Sequence, residues 1–369
     1  MARLEEICDI LDSHRIPITA SDRKPGPYPY YGANGIQDYV SDYIFDDELV
    51  LLAEDGGNFG SKEKPIAYRV SGKCWVNNHA HVLKPKDMLD VDYLCYSLMF
   101  YDVSGLVNGA TRQKLTQADM RKMEIPLRSM SEQKRITAVI NKVSDLISLR
   151  KQQLAKLDEL VKARFVELFG DPEKNTFSWK EEELSEHLTV IGGYAFKSEQ
   201  FSEEGIPVLR IGNINAGFFK PVNLVYWEDD DALNRYKMYP GDLVMSLTGT
   251  VGKDDYGNVC ILGNDYDVYY LNQRNAKLEL QDTINKYYLS MLLKFEPVKK
   301  KLTGISRGVR QANISNKDIL NLPVPIPPIE LQNQFAAFVE QTDKSKLAVQ
   351  QSLDKLELLK KALMQKCFG

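Results

Sequence analysis

Apolar positions divide this chain into two kinds of segment. Between about 131 and 168, Ile136, Ile140, Val143, Ile147, Leu154, Leu157, Val161 and Leu168 step by three and four, with Arg150 and Arg164 filling two slots. That spacing predicts a long amphipathic α-helix. From about 330 to 367, Phe335, Val339, Val349, Leu353, Leu356 and Leu363 predict a second, interrupted by Thr342 and Lys346. Neither stretch holds Pro or Gly before its terminal Gly170 or Gly369. A helix of about 36 residues is roughly 54 Å long, too long for one small domain. A seam with a period near 3.5 asks for a partner helix, so mutual pairing is preferred to two helices each packed on its own domain. Elsewhere the apolar runs are short, β-branched or aromatic and broken by glycine, as in Leu49-Val50-Leu51-Leu52, Trp75-Val76-Asn77, Leu243-Val244-Met245 and Val259-Cys260-Ile261-Leu262. They predict mixed α/β domains dominated by short strands.

The helices are copies of one another. At an offset of 199 residues the two C-terminal portions align without a gap for over fifty residues, with identities that include Asp119/Asp318, Pro126/Pro325, Gln133/Gln332, Leu157/Leu356, Leu160/Leu359 and Phe169/Phe368. Arg112-Gln113 matches Arg310-Gln311 after a one-residue slip. Similarity of this extent marks a duplicated structural unit. Proline-bearing lead-ins, Met123 to Leu127 and Leu322 to Pro328, favour extended backbone before each helix. The domains upstream differ strongly, apart from a faint echo of Val76-Asn77-Asn78 in Leu271-Asn272-Gln273. The fold class expected is α+β: two mixed α/β domains, each followed by a long helix, the helices pairing antiparallel with pseudo-two-fold symmetry. The divisions are a first domain at 1–125, a helix region at 126–170, a second domain at 171–324 and a helix region at 325–369.

Charge follows the same division. Residues 1–107 carry a net −7 and 108–170 a net +6, while 171–306 carry −6 and 307–369 carry +3, within a whole-chain charge of −4. Local faces, not the sum, therefore decide what this surface attracts. Five scattered cysteines, none in a Cys-x-x-Cys pair, suit a reducing cytosol and argue against a disulfide framework or zinc site. No run of eighteen apolar residues predicts a membrane span, and a cytoplasmic location is expected.

On these residues the chain resembles a type I restriction–modification specificity subunit, over essentially its whole length. The first domain offers Pro29-Tyr30-Tyr31-Gly32-Ala33-Asn34-Gly35-Ile36, Ala53-Glu54-Asp55-Gly56 and Asn77-Asn78-His79. The second offers Gly192-Gly193-Tyr194-Ala195-Phe196-Lys197, Gly205 to Ile214, Pro240-Gly241-Asp242-Leu243-Val244 and Leu271-Asn272-Gln273-Arg274. A Gly-x-x-Arg-Gln close occurs as Gly109 to Gln113 and, one residue shorter, as Gly308 to Gln311. The first domain departs from the pattern in its short start at Leu4-Glu5-Glu6-Ile7. The resemblance implies two target-recognition domains on a frame of two spacer helices, double-stranded DNA as ligand, and two adenine methyltransferase subunits and endonuclease/translocase subunits as partners. It implies no catalytic centre, cofactor or metal in this chain.

The residues themselves agree in offering no catalytic set. Gly249 to Lys253 has the wrong glycine spacing for a phosphate loop, and Asp254 stands where Ser or Thr must hold Mg²⁺. Pro327-Pro328 lacks the neighbours of an adenine clamp, and Asp22-Arg23-Lys24 lacks the upstream acid of a nuclease. His79, His81 and Cys74 lack a fourth ligand for zinc. The DNA-facing candidates are amides, aromatics and cations, because Asn and Gln bond adenine at two atoms and Arg does so with guanine. They are Tyr30, Tyr31, Asn34, Asn58, Asn77, Asn78 and His79 in the first domain, and Lys197, Arg210, Asn213, Asn215, Thr248, Lys253, Asn272, Gln273 and Arg274 in the second. Arg112, Arg307 and Arg310, in Gly-flanked loops, are candidates for phosphate or base. For each asparagine the alternative is turn formation. The acidity of both domains leaves open a different class, a scaffold with two ligand-binding domains on a coiled-coil bridge.

Overall fold

The computed structural model describes residues 1–109, 113–253, 255–304 and 311–369. It divides into two compact units: Met1–Lys151 with Gln350–Gly369, and Gln152–Val349. Among the described residues no helix is long and apolar enough to cross a membrane.

In the first unit six strands form one sheet in the order Cys8–Ile10, Ala80–Pro85, Phe45–Ala53, Ala67–Val76, Pro25–Gly32 and Gly35–Val40. All pairings are antiparallel except Pro25–Gly32 against Ala67–Val76, where Tyr30 faces Trp75 and Tyr31 faces Val76. The run Leu49 to Ala53 is fully buried because both sheet faces are covered. Val50 and Leu52 join Tyr93, Leu94 and Leu98 of the helix Val91–Met99 on one side. Leu49 and Leu51 pack with Phe45, Val70 and Cys74 on the other. The period of two is that of any strand; what the continuous apolar run adds is a core on each face.

The second unit repeats the plan with shorter strands. Its main sheet runs Leu188–Gly192, Asn275–Leu280, Leu243–Ser246 and Val259–Ile261, the same order as the first four strands of unit one. A second sheet holds Ile206–Leu209 parallel to Tyr269–Leu271, with Tyr226–Trp227 and Lys237–Met238 outside them. Domains divergent in sequence thus share a topology.

The long helices span Met130–Phe169 and Ile329–Phe368. In unit one, Ile136 and Phe368 pack into the same core, and Lys151 pairs with Glu357 at 2.8 Å. In unit two, Asp158 accepts from Lys346 at 2.7 Å and the Phe165 ring meets Phe335 at 5.4 Å. In each unit, rising numbers on one helix meet falling numbers on the other. The pairing is antiparallel. The expected seam is buried or half-buried throughout, Arg150 and Arg164 included. Phe165, absent from that expectation, is fully buried in it, ringed by Phe169, Tyr288, Phe295 and Phe335. Thr342, expected as an interruption, is buried and donates to the Phe338 carbonyl at 2.8 Å.

The identities at offset 199 mark where helix meets domain. The fully buried Gln133 donates to the carbonyls of Met88 and Arg128 and accepts from Asp90 N–H. Gln332 donates to Pro327 and accepts from Asn285 N–H. Tyr93 donates to the Pro126 carbonyl and takes the Phe368 ring at 5.1 Å, while Tyr288 donates to that of Pro325 and takes Phe169 at 4.8 Å. The lead-ins are strands, Glu124–Ile125 against Ala2–Arg3 and Pro323–Pro325 against Glu181–Glu183. Gln133→Leu removes an amide that answers three backbone groups and strands them. The expected cost is about 1–3 kcal/mol, because buried polar groups left unpaired carry their desolvation penalty. It should be read as a lower denaturant midpoint at unchanged slope.

Candidate nucleic-acid interface

Three segments of the first domain are tied together by backbone. Glu54 N–H donates to His79 O at 2.9 Å, Leu115 N–H to Glu54 O at 2.7 Å, and Gly56 N–H to Gln113 O at 3.3 Å. The second domain builds the same arrangement: Leu247 N–H donates to Arg274 O at 2.8 Å, Ile314 N–H to Leu247 O at 2.8 Å, and Thr248–Thr250 pairs with Gln311–Asn313. Two asparagines fix the turn at 77–79 and its counterpart at 272–274. Asn77 Oδ1 accepts from His79 N–H at 2.8 Å, and Asn272 Oδ1 from Arg274 N–H at 3.3 Å. Ala53 pairs with Ala80, and Ser246 with Asn275. Segments 77–79 and 272–274 therefore occupy one fold position, and the echo seen in the sequence is structural. Gly193 lets the second turn seat: a Cβ there would lie 2.1 Å from the Asn272 carbonyl oxygen.

The candidates separate on this frame. Tyr30 is 1% exposed, its hydroxyl exchanging hydrogen bonds with the Ile18 backbone and its ring under Arg23 at 4.2 Å, so it is a packing residue. Half-buried Tyr31 lies against Tyr68. Asn34 and Asn58 donate to the carbonyls of Gly56 and Pro65. Asn77 is 3% exposed and also donates to Gln37. Asn213, 1% exposed, donates to Lys220 and Val222 carbonyls and accepts from Arg210 N–H, while Asn215 donates to Asp255 O at 2.6 Å. These amides are committed to loop structure. Thr248 is half-buried in its strand, and Lys197 and Lys253 are exposed. Asn78, Gln273 and Arg274 are exposed, and among the described residues their side chains have no partner. Arg210, Asn272, Gln273 and Arg274 share the wall of an open depression of about 450 Å³ that Phe196 and Phe201 also line. Arg112, Arg307 and Arg310 lie outside the described residues.

Beneath the first domain's turn lies a charge network that the sequence reading missed. Asp12, Glu54 and His81 bring one ligand atom each within 4.8 Å of one another. Their partners are protein groups. Arg15 donates to Glu54 at 2.5 Å and to Ala80 O, Lys114 reaches Glu54 at 2.9 Å, and Gln117 donates to Asp12 at 2.8 Å. His81 sets Nδ1 2.7 Å from Asp12 and Nε2 3.0 Å from Leu115 O. With a guanidinium and an ammonium already on the acids, the trio reads as an ion-pair network. Burial alone pushes the Asp12 carboxyl up, but bonds from His81, Val82 N–H and Gln117 hold it below the usual carboxylate range. Glu54 is lowered likewise, with Arg15 and Lys114 opposing its burial. The network underpins His79, whose Nδ1 is 2.7 Å from Asp55. Cys74 is apart from both histidines in function: it is fully buried in an apolar cluster, and burial pushes its thiol up to about 12. The equivalent positions in the second domain, Leu247 and Ala276, are apolar.

Comparison with known proteins places this arrangement. The family model of the type I restriction modification DNA specificity domain matches residues 1–159 and 178–358. A putative type I restriction enzyme specificity subunit of Haemophilus influenzae is 27% identical over 98% of this chain and 94% of its own length. The MjaVIII specificity subunit of Methanocaldococcus jannaschii is 25% identical over 99% and 90%. The crystal structure of the type I restriction–modification S subunit from M. genitalium shares the fold, with a TM-score of 0.62 at 16% identity over 100% of this chain and 95% of that one. The chain belongs to the type I restriction–modification DNA specificity family, as a non-catalytic specificity subunit.

Proposed function

We propose that this subunit reads a bipartite, non-palindromic double-stranded DNA site in the cytoplasm, one half with each domain, and positions adenine methyltransferase and endonuclease subunits on it. Residues 1–125 and 171–324 are the two readers in this proposal, and the helix regions 126–170 and 325–369 the frame. The observation that carries it is the turn at one fold position in both domains, built on the same hydrogen bonds but bearing Asn78 and His79 in one and Gln273 and Arg274 in the other. Identical frames with different polar tips suit two different half-sites. Exposed apolar residues on the helices, among them Leu149, Leu160, Leu347, Leu358 and Leu359, offer surface to partner helices. Arg112, Arg307 and Arg310 are assigned to phosphate contacts that set register.

The test is to express the chain with its methyltransferase partner and map methylated adenines genome-wide. Two unlike half-sites separated by unspecified bases are expected, with no methyl transfer by the chain alone. A continuous or palindromic motif would reject the proposal. The acidity of both domains favours the scaffold reading instead; absence of duplex binding by the assembled complex at low salt would return the assignment to it.

A further inference from the structure

We propose that the second and third residues of the equivalent turns, Asn78-His79 and Gln273-Arg274, are the specificity-determining pairs, and that Arg274 reads a guanine in the half-site of the second domain. The inference rests on the DNA-reading function above and assigns it to side chains. In both turns the first residue is spent internally, since Asn77 and Asn272 use Oδ1 to hold the N–H two positions on. What projects is the pair that follows. Asn78, Gln273 and Arg274 are exposed, and among the described residues no side-chain partner competes for them. The remaining member, His79, is aimed by Asp55.

The two domains differ at the position that steers the third residue. In the segment beside each turn, Asp55 bridges Lys114 and Thr248 pairs with Asn313, so Thr248 stands where Asp55 does. A carboxylate at that place holds the histidine at 2.7 Å. With Thr248 there instead, no carboxylate among the described residues ties the Arg274 guanidinium down. A guanidinium offers two parallel N–H donors that match guanine O6 and N7, and an amide such as Asn78 or Gln273 matches adenine N6 and N7. The turn is also rigid enough to discriminate. Its backbone is fixed on one side by Leu247 N–H to Arg274 O and on the other by Gln273 N–H to Tyr194 O at 2.8 Å, over the glycine that lets Asn272 approach.

The experiment uses the full chain assembled with its methyltransferase, comparing methylation maps of the wild type, Arg274→Ala, Arg274→Lys and Asn78→Ala. Both Arg274 variants are expected to relax one guanine position in one half-site, with discrimination there falling on the order of tenfold to a hundredfold. Lysine keeps the charge but lacks the fork, so it should fail to restore specificity while retaining more overall affinity than alanine. Asn78→Ala should alter a single position in the other half-site and leave the guanine intact. If the wild type reads a bipartite site and the Arg274 variants methylate the unchanged motif, this assignment is overturned while the DNA-reading function stands. If the wild type has no bipartite site, the function itself fails. Loss of assembly in both Arg274 variants would assign the residue to the scaffold and equally overturn the proposal.

Discussion

Asp12→Ala is expected to destabilise the first unit by about 3–5 kcal/mol, the range for removing one member of a buried charge network. Asp12 is 7% exposed and accepts from His81, Gln117 and Val82 N–H, with Arg15 at 3.5 Å. Alanine would leave His81, itself fully buried, with only the Leu115 carbonyl and the more distant Glu54 at 3.6 Å. Hydrogen exchange in Phe45–Ala53, the strand that ends on Glu54, is the local readout, with Leu243–Ser246 as internal reference. The network also sets an acid limit. The folded-state pKa values of Asp12 and Glu54 lie below their ordinary values of 3.8 and 4.5. Their contribution is therefore fully present above those values, and it is lost as pH falls below about 4.5 and on through the folded-state values. Asp12→Ala should flatten this acid limb of the stability profile; a limb of unchanged steepness would remove Asp12 from the account.

The sequence made the frame legible and hid this network for one reason, the range of the interactions. The long helices announce themselves because their burial repeats every three or four residues, and the structure places their ends within a residue of the expected 131–168 and 330–367. Identities at offset 199 were visible but not their cause, which is that Gln133 and Gln332, and Phe169 and Phe368, close the same joint. Asp12, Glu54 and His81 lie 27 to 69 positions apart in the chain, and nothing local separates a buried acid from a solvated one. The signal available was weak: an acid in Leu51 to Asp55, directly after an uncharged apolar run. The asparagines are ambiguous in sequence for another reason. An amide that closes a turn, such as Asn77 or Asn213, and one that meets a base have the same neighbours in sequence, and only burial tells them apart. Tyr30 is ambiguous in the same way, since a tyrosine in the strand Pro25–Gly32 carries no mark in sequence of which sheet face it takes.

The largest functional effect is expected from four residues inserted into the first long helix after Leu154. At about 1.5 Å and roughly 100° per residue, the insertion displaces one end of the seam by about 6 Å and turns it by roughly 40°. The second helix is unchanged, so it can keep its pairing of Glu357 with Lys151 or that of Lys346 with Asp158, but not both. Apolar knobs such as Phe165 and Phe335 are fully buried in this seam, so a slipped register exposes them or forces polar residues inward. In the proposed function the helix pair sets the distance between half-sites. The variant should therefore either lose assembly with the methyltransferase or methylate a site whose unspecified spacer has changed. A matched four-residue insertion in the second helix near Gln350 restores the register, and should restore assembly with a spacer longer by about 6 Å, roughly two base pairs of duplex rise. The bases within each half-site should not change in any of these variants, because Asn78, Gln273 and Arg274 lie outside both helices. A single insertion that methylates the original spacing at full activity would show that the helices do not measure the site. Altered bases within a half-site would mean that they help to read it.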